Sequence, residues 1–167
     1  MSGLEAALAR LASFLEGRRI PHMVIGGFAN LHWGRPRLTQ DIDVTIQVEP
    51  AQVPGLISAL AKEYEILVPD PAAFIHEMGV LPARDRSGVR VDLILAGLAY
   101  EEEAIRRAVS LTISGREVKI CSAEDLIVHT LASERPRDRV DVEGVIQRQQ
   151  HGLDLTYLDD RVRELAR

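Results

Sequence analysis

The chain has 167 residues, of which 46% are hydrophobic and 27% charged, so one domain with a substantial core is expected. Its net charge of −5 excludes a surface that coats nucleic acid broadly, although one basic groove would remain compatible with it. A single cysteine, Cys121, excludes an internal disulfide and a cysteine metal knuckle, and no apolar run reaches the roughly 18 residues of a membrane span.

The amino-terminal segment MSGLEAALARLASFLEGRR lacks a basic-then-apolar signal pattern, so a cytoplasmic protein without a membrane partner is expected. Leu4, Leu8, Leu11 and Leu15 recur at helical spacing, with Ser2 and Glu5 as a capping box, and predict a helix from about Gly3 to Arg18. His22–Ile25 reads as a strand running into the Gly26-Gly27 turn, followed by a short helix over Phe28–Trp33. Gly34 and Pro36 break that helix, and Gln40–Val48 forms the next strand. A helix is predicted from Pro50 to about Tyr64, a strand over Glu65–Val68 and a short helix over Pro71–Met78. Val80–Arg86 and Val89–Leu95 read as strands joined at Ser87-Gly88, followed by a helix over Glu101–Ala108. Leu111–Ile113 and Glu117–Ile120 form a hairpin about Ser114-Gly115. From Ser122, which caps with Asp125, the remainder is helical and broken near Pro136 and Gly152. The order implies an α+β fold, a mixed sheet flanked by helices with a helical tail. Residues 1–121 would form the core and 122–167 an extension packed on it, within one structural domain.

The segment IGGFANLHWGRPRLTQDIDVTI (Ile25 to Ile46) carries the chemistry. Alternation puts Asp41 and Asp43 on one strand face, roughly 6–7 Å apart at Cα, while Ile42, Val44 and Ile46 enter the core. Close carboxylates repel, and a hard divalent cation, Mg²⁺ or Mn²⁺, removes that cost. In VRVDLIL, Asp92 points away from the apolar face; on a neighbouring strand it would join the pair. Three such carboxylates can hold two metals about 4 Å apart, the arrangement that serves phosphoryl transfer. Gly26 and Gly27, without Cβ atoms, let backbone amides approach a phosphate where the helix begins. Arg35, Arg37 and Thr39 lie on the approach to the carboxylates and are candidates for phosphate oxygens. Alone, a Gly-Gly is a turn and an Asp-x-Asp a solvated strand; the ordered combination is far less expected by chance.

These elements resemble the DNA polymerase β superfamily of nucleotidyltransferases: Gly26-Gly27, a spacer from Phe28 to Gln40, Asp41-Ile42-Asp43 between apolar residues, and Asp92. GRPRLTQDIDV and the tail segment Ser122 to Ile146 are similar to small bacterial members related to AbiEii-type toxins. The resemblance implies transfer of a nucleoside monophosphate from an NTP with two divalent ions. Asp41, Asp43 and Asp92 would be catalytic and metal-binding, and Gly26, Gly27, Arg37 and Thr39 nucleotide-binding. It implies tRNA ends or proteins as acceptors, with a small molecule as a further option, and a toxin–antitoxin or defence setting with a cognate partner. Aligning on Arg137-Asp138 places Thr130 where relatives carry a lysine for the triphosphate, with His129 beside it. Arg35, His129, Thr130, Arg137 and Asp138 are therefore accessory candidates. The rival reading is a weak or inactive transferase fold that serves as a nucleotide- or partner-binding regulatory module. Packing is the plainer role for His129, and Arg137, Asp138 and Asp141 read equally well as an intrahelical ion-pair set.

Overall fold

The structure, a computed structural model, describes residues 3–133 and 138–166. The helices are α1 (Gly3–Gly17), α2 (Gly26–Trp33), α3 (Val53–Leu60), α4 (Pro71–Met78), α5 (Ala99–Arg107), α6 (Ala123–Ala132), α7 (Asp138–Gln149) and α8 (Leu155–Leu165). The strands are β1 (His22–Ile25), β2 (Asp41–Ile46), β3 (Glu65–Ile66), β4 (Val80–Arg84), β5 (Arg90–Leu95), β6 (Val109–Ile113) and β7 (Arg116–Ile120). They form one seven-stranded mixed sheet in the order β3-β4-β5-β2-β1-β7-β6, with β2 at its centre. β2 runs antiparallel to β1 and parallel to β5, and β7 runs parallel to β1. The expected α+β architecture is the observed one.

The core follows from the two periodicities. Leu8, Leu11 and Leu15 of α1 are buried, together with Ile42, Val44 and Ile46 of β2 and Val91 and Leu93 of β5. Ser122 caps α6 by accepting from the Asp125 amide at 3.1 Å, as its sequence position anticipates. Several predicted boundaries move. The second helix begins at Gly26 itself, two residues before Phe28. The helix predicted over Pro50–Tyr64 divides into a 3-10 turn, Pro50–Gln52, and the shorter α3, because Pro54 has no N–H to continue a helix from Pro50. The fifth helix starts two residues early because Glu101 accepts from the Gly97 and Leu98 amides at 2.7 and 2.8 Å. The predicted strand Gln40–Val48 contracts to Asp41–Ile46, and Glu65–Val68 to Glu65–Ile66. The Ser2 cap and the Pro136 break lie outside the described residues. Among the described residues, no helix is long and apolar enough to cross a membrane.

Candidate active site

The sheet register assembles the site. Ile25, the last residue of β1, pairs with Asp43. Across the other edge of β2, Asp43 pairs with Asp92 and Asp41 with Arg90. Partners in a parallel ladder share a face, so Asp41, Asp43, Arg90 and Asp92 form a compact block. The Arg90 Nε lies 3.0 and 3.1 Å from the two Asp92 carboxylate oxygens. That bond, reinforced by the charges of Asp92, Asp41 and Asp43, raises the Arg90 pKa further and fixes it as a cation.

The glycines are needed because the chain is crowded here. Gly26 has φ +65°, and a Cβ on it would collide with the Asp43 carboxylate. A Cβ on Gly27 would collide with the Thr39 side chain. The Thr39 hydroxyl in turn lies 3.3 Å from both the carbonyl and the carboxylate Oδ1 of Asp41. The α2 backbone is thus packed directly onto the carboxylate block.

Facing that block, α6 and α7 close a cleft of about 240 Å³. It is lined by Gly26, Gly27, Arg37, Asp41, Asp43 and Asp92, together with His129, Thr130 and Asp138. Arg37 is held by Asp141 of α7, with a guanidinium–carboxylate separation of 3.1 Å, so Asp141 ties a loop to a helix 104 residues away. The Arg137, Asp138 and Asp141 ion-pair set read from the sequence includes Arg137, which lies outside the described residues. Buried Asn30 braces the pair, donating to the Arg35 carbonyl at 3.0 Å and lying 3.4 Å from Asp141. His129 lines the cleft with its Nδ1 3.2 Å from the Tyr100 hydroxyl and 4.0 Å from buried Glu101. Thr39 stands beside the cleft. Arg35 turns away from it, donating to Gln147 and packing on Gly144. Arg90 and Asn30 escaped the sequence reading of the site, and Asp141 entered it only within the Arg137, Asp138 and Asp141 set. Only Arg90 carried a usable signal, two residues before Asp92 on the same strand face.

The donor chemistry of Asp41, Asp43 and Asp92, all hard oxygens, fits Mg²⁺ or Mn²⁺. Yet among the described residues, no group of three metal-ligating side chains converges on one point, and Asp92 is engaged by Arg90. Three-way ligation therefore requires these side chains to turn toward a common point, a movement with which the Arg90 contact to Asp92 competes.

The fold is that of the polymerase-β-like nucleotidyltransferases. The structure is similar to ANT(2'')-Ia in complex with adenylyl-2''-tobramycin, with TM-score 0.63 and 17% identity, covering 99% of this chain and 98% of that one. It is similar to the lincosamide antibiotic adenylyltransferase LnuA with lincomycin bound, with TM-score 0.58, 13% identity and coverage of 87% and 96%. An antigenic nucleotidyltransferase-like protein from Paracoccidioides brasiliensis gives TM-score 0.59, 19% identity and coverage of 97% and 86%. No curated protein matches the chain in sequence. Residues 4–165 match the family described as "Nucleotidyl transferase of unknown function (DUF2204)", and on that match the chain belongs to this family of nucleotidyltransferases.

Proposed function

We propose that the protein transfers a nucleoside monophosphate from an NTP to an acceptor hydroxyl and releases pyrophosphate. The observation that carries this reading is the in-register block of Asp41, Asp43 and Asp92 beneath the Gly26-Gly27 helix start. The first amides of α2 and the Arg37 guanidinium bind the triphosphate, with Thr39 steadying Asp41. Asp41, Asp43 and Asp92 would hold Mg²⁺ or Mn²⁺, which supplies charge neutralisation on the phosphates and polarises the attacking oxygen. The acceptor oxygen attacks the α-phosphorus, its proton passes to the Asp92 carboxylate once Arg90 lets go, and the bond to pyrophosphate breaks.

For the acceptor, the cleft favours a neutral or cationic small molecule over a nucleic acid. Among the described residues, five aspartates, Asp41, Asp43, Asp92, Asp138 and Asp141, line it with one arginine, Arg37. The structural likeness to antibiotic adenylyltransferases supports the same choice. The motif resemblance to AbiEii-type toxins keeps tRNA ends and proteins as the competing acceptors, within a toxin–antitoxin or defence pair. A second reading, a weak or inactive transferase that acts as a binding module, is favoured by Thr130 at the lysine position and by the Arg90–Asp92 pair. We read residues 122–167 as an extension packed on the core.

The test is incubation with Mg²⁺, each labelled NTP, and separately aminoglycosides, lincosamides, total tRNA and total protein. Label should move to a small molecule, and Asp43→Asn should reduce transfer at least about 100-fold. Nucleotide binding without label on any acceptor, unchanged in Asp43→Asn, establishes the binding-module reading instead.

A further inference from the structure

A concavity larger than the carboxylate cleft shares no lining residue with it. Its volume is about 770 Å³, and it lies between α1, the chain after α3, the β4–β5 turn and the β6–β7 turn. Five cations line it: Arg10, Arg18, Lys62, Arg86 and Arg116. Both acids of the lining are already engaged. Asp85 is bound by Arg10 at 2.5 Å, and Glu63 by Arg18 at 3.2 Å. Lys62, Arg86 and Arg116 come from three separate segments and make no ion pair with any described residue. An otherwise acidic chain thus concentrates three uncompensated positive charges around one hollow.

A second observation comes from Tyr64, which lines the same cavity. Its ring is packed edge-on against Phe14 at 5.7 Å, and the residue is 8% exposed. The phenol hydroxyl nevertheless makes no hydrogen bond to a described residue. Burial, followed by the Asp85 and Glu63 charges, pushes its pKa up to about 12, so it remains a proton donor throughout the neutral range. A hydroxyl at the cavity wall that no described side chain engages is available to donate to a ligand there.

We propose that this cavity is a second ligand site that takes a small oligophosphate-bearing anion, held by Lys62, Arg86 and Arg116 with the Tyr64 hydroxyl donating to it. The volume lies in the range of small-molecule pockets, about 300–1,000 Å³. The charges are arranged around a hollow rather than along a stripe, which fits a compact anion better than an extended nucleic-acid backbone.

The probe is inorganic tripolyphosphate, titrated calorimetrically into the full chain with a chelator present so that the carboxylate cleft cannot bind it through a metal. Saturable one-to-one binding is expected. Arg86→Glu combined with Arg116→Glu should weaken it about tenfold or more, and Tyr64→Phe severalfold. Asp43→Asn should bind as the parent does, which separates this site from the transferase reading. Both arginines are exposed, so circular dichroism should be unchanged in the double variant; if it is not, Lys62→Gln with Arg116→Gln carries the same expectation. Absence of saturable binding, equal binding by the charge variants, or binding of short single-stranded RNA but not tripolyphosphate overturns the proposal.

Discussion

Single residues carry sharp constraints in this molecule. Gly26 combines φ +65° with a carboxylate where a Cβ would sit, so Gly26→Ala imposes both backbone strain and displacement of Asp43. The expected cost is about 1–3 kcal/mol in denaturant unfolding, together with loss of transfer. His22 is a second case. It is buried, its Nδ1–H donates to the Ile20 carbonyl at 2.9 Å, and its Nε2 has no partner among the described residues. Burial lowers its pKa below the ordinary 6.5, against the opposing effect of the Ile20 bond. As pH falls through about 6.5, the unfolded chain takes up a proton that the folded one refuses, so stability is full above that value and declines below it. Urea midpoints at pH 7.5 and 5.5 should differ in the parent protein, and His22→Leu should flatten that window.

At the scale of elements, long-range pairs set where helices sit on the sheet. Arg10 of α1 reaches Asp85 in the β4–β5 turn, 75 residues away. Burial by itself would raise the Asp85 pKa, but the Ser87 hydroxyl and Arg10 together hold it below the ordinary carboxylate value. Arg10→Ala leaves this nearly inaccessible carboxylate without its cation and should cost about 2 kcal/mol, less than a wholly buried pair because Arg10 is partly solvated. Thr45 gives the opposite expectation. It continues the face of Asp41 and Asp43 into the interior, fully buried, and its hydroxyl has no partner among the described residues. Thr45→Val should therefore stabilise the protein by about 1 kcal/mol, measured as a higher denaturation midpoint. At this scale the elements themselves were legible in advance, since heptad-like leucines and alternating valines and isoleucines report one-sided burial directly. Their ends were less so, because Glu101 and Pro54 act through hydrogen bonds gained or forbidden, not through hydrophobic period.

Across the whole molecule, the last helix α8 is tied to α5 and α6 through a polar knot. Tyr157 of α8 donates to buried Asp125 at 2.7 Å, while Arg107 of α5 stacks on the Tyr157 ring at 3.7 Å. Arg161 joins α8 to Glu103 of α5 at 2.6 Å. Tyr157→Ala should raise hydrogen exchange across α8 while leaving the sheet protected, which a mass-resolved exchange experiment reads directly. The sequence by itself determined the end of β1 at the Gly-Gly pair, the Asp-x-Asp strand and the face of Asp92, because each depends on spacing within a few residues and on the fixed geometry of helix and strand. Only the tertiary structure decided that Arg90 would occupy Asp92, that Asp141 would hold Arg37, and that three cations from distant turns would surround one hollow. Those outcomes depend on register and on how helices settle across the sheet, which pair side chains far apart in the chain and leave no local periodic trace.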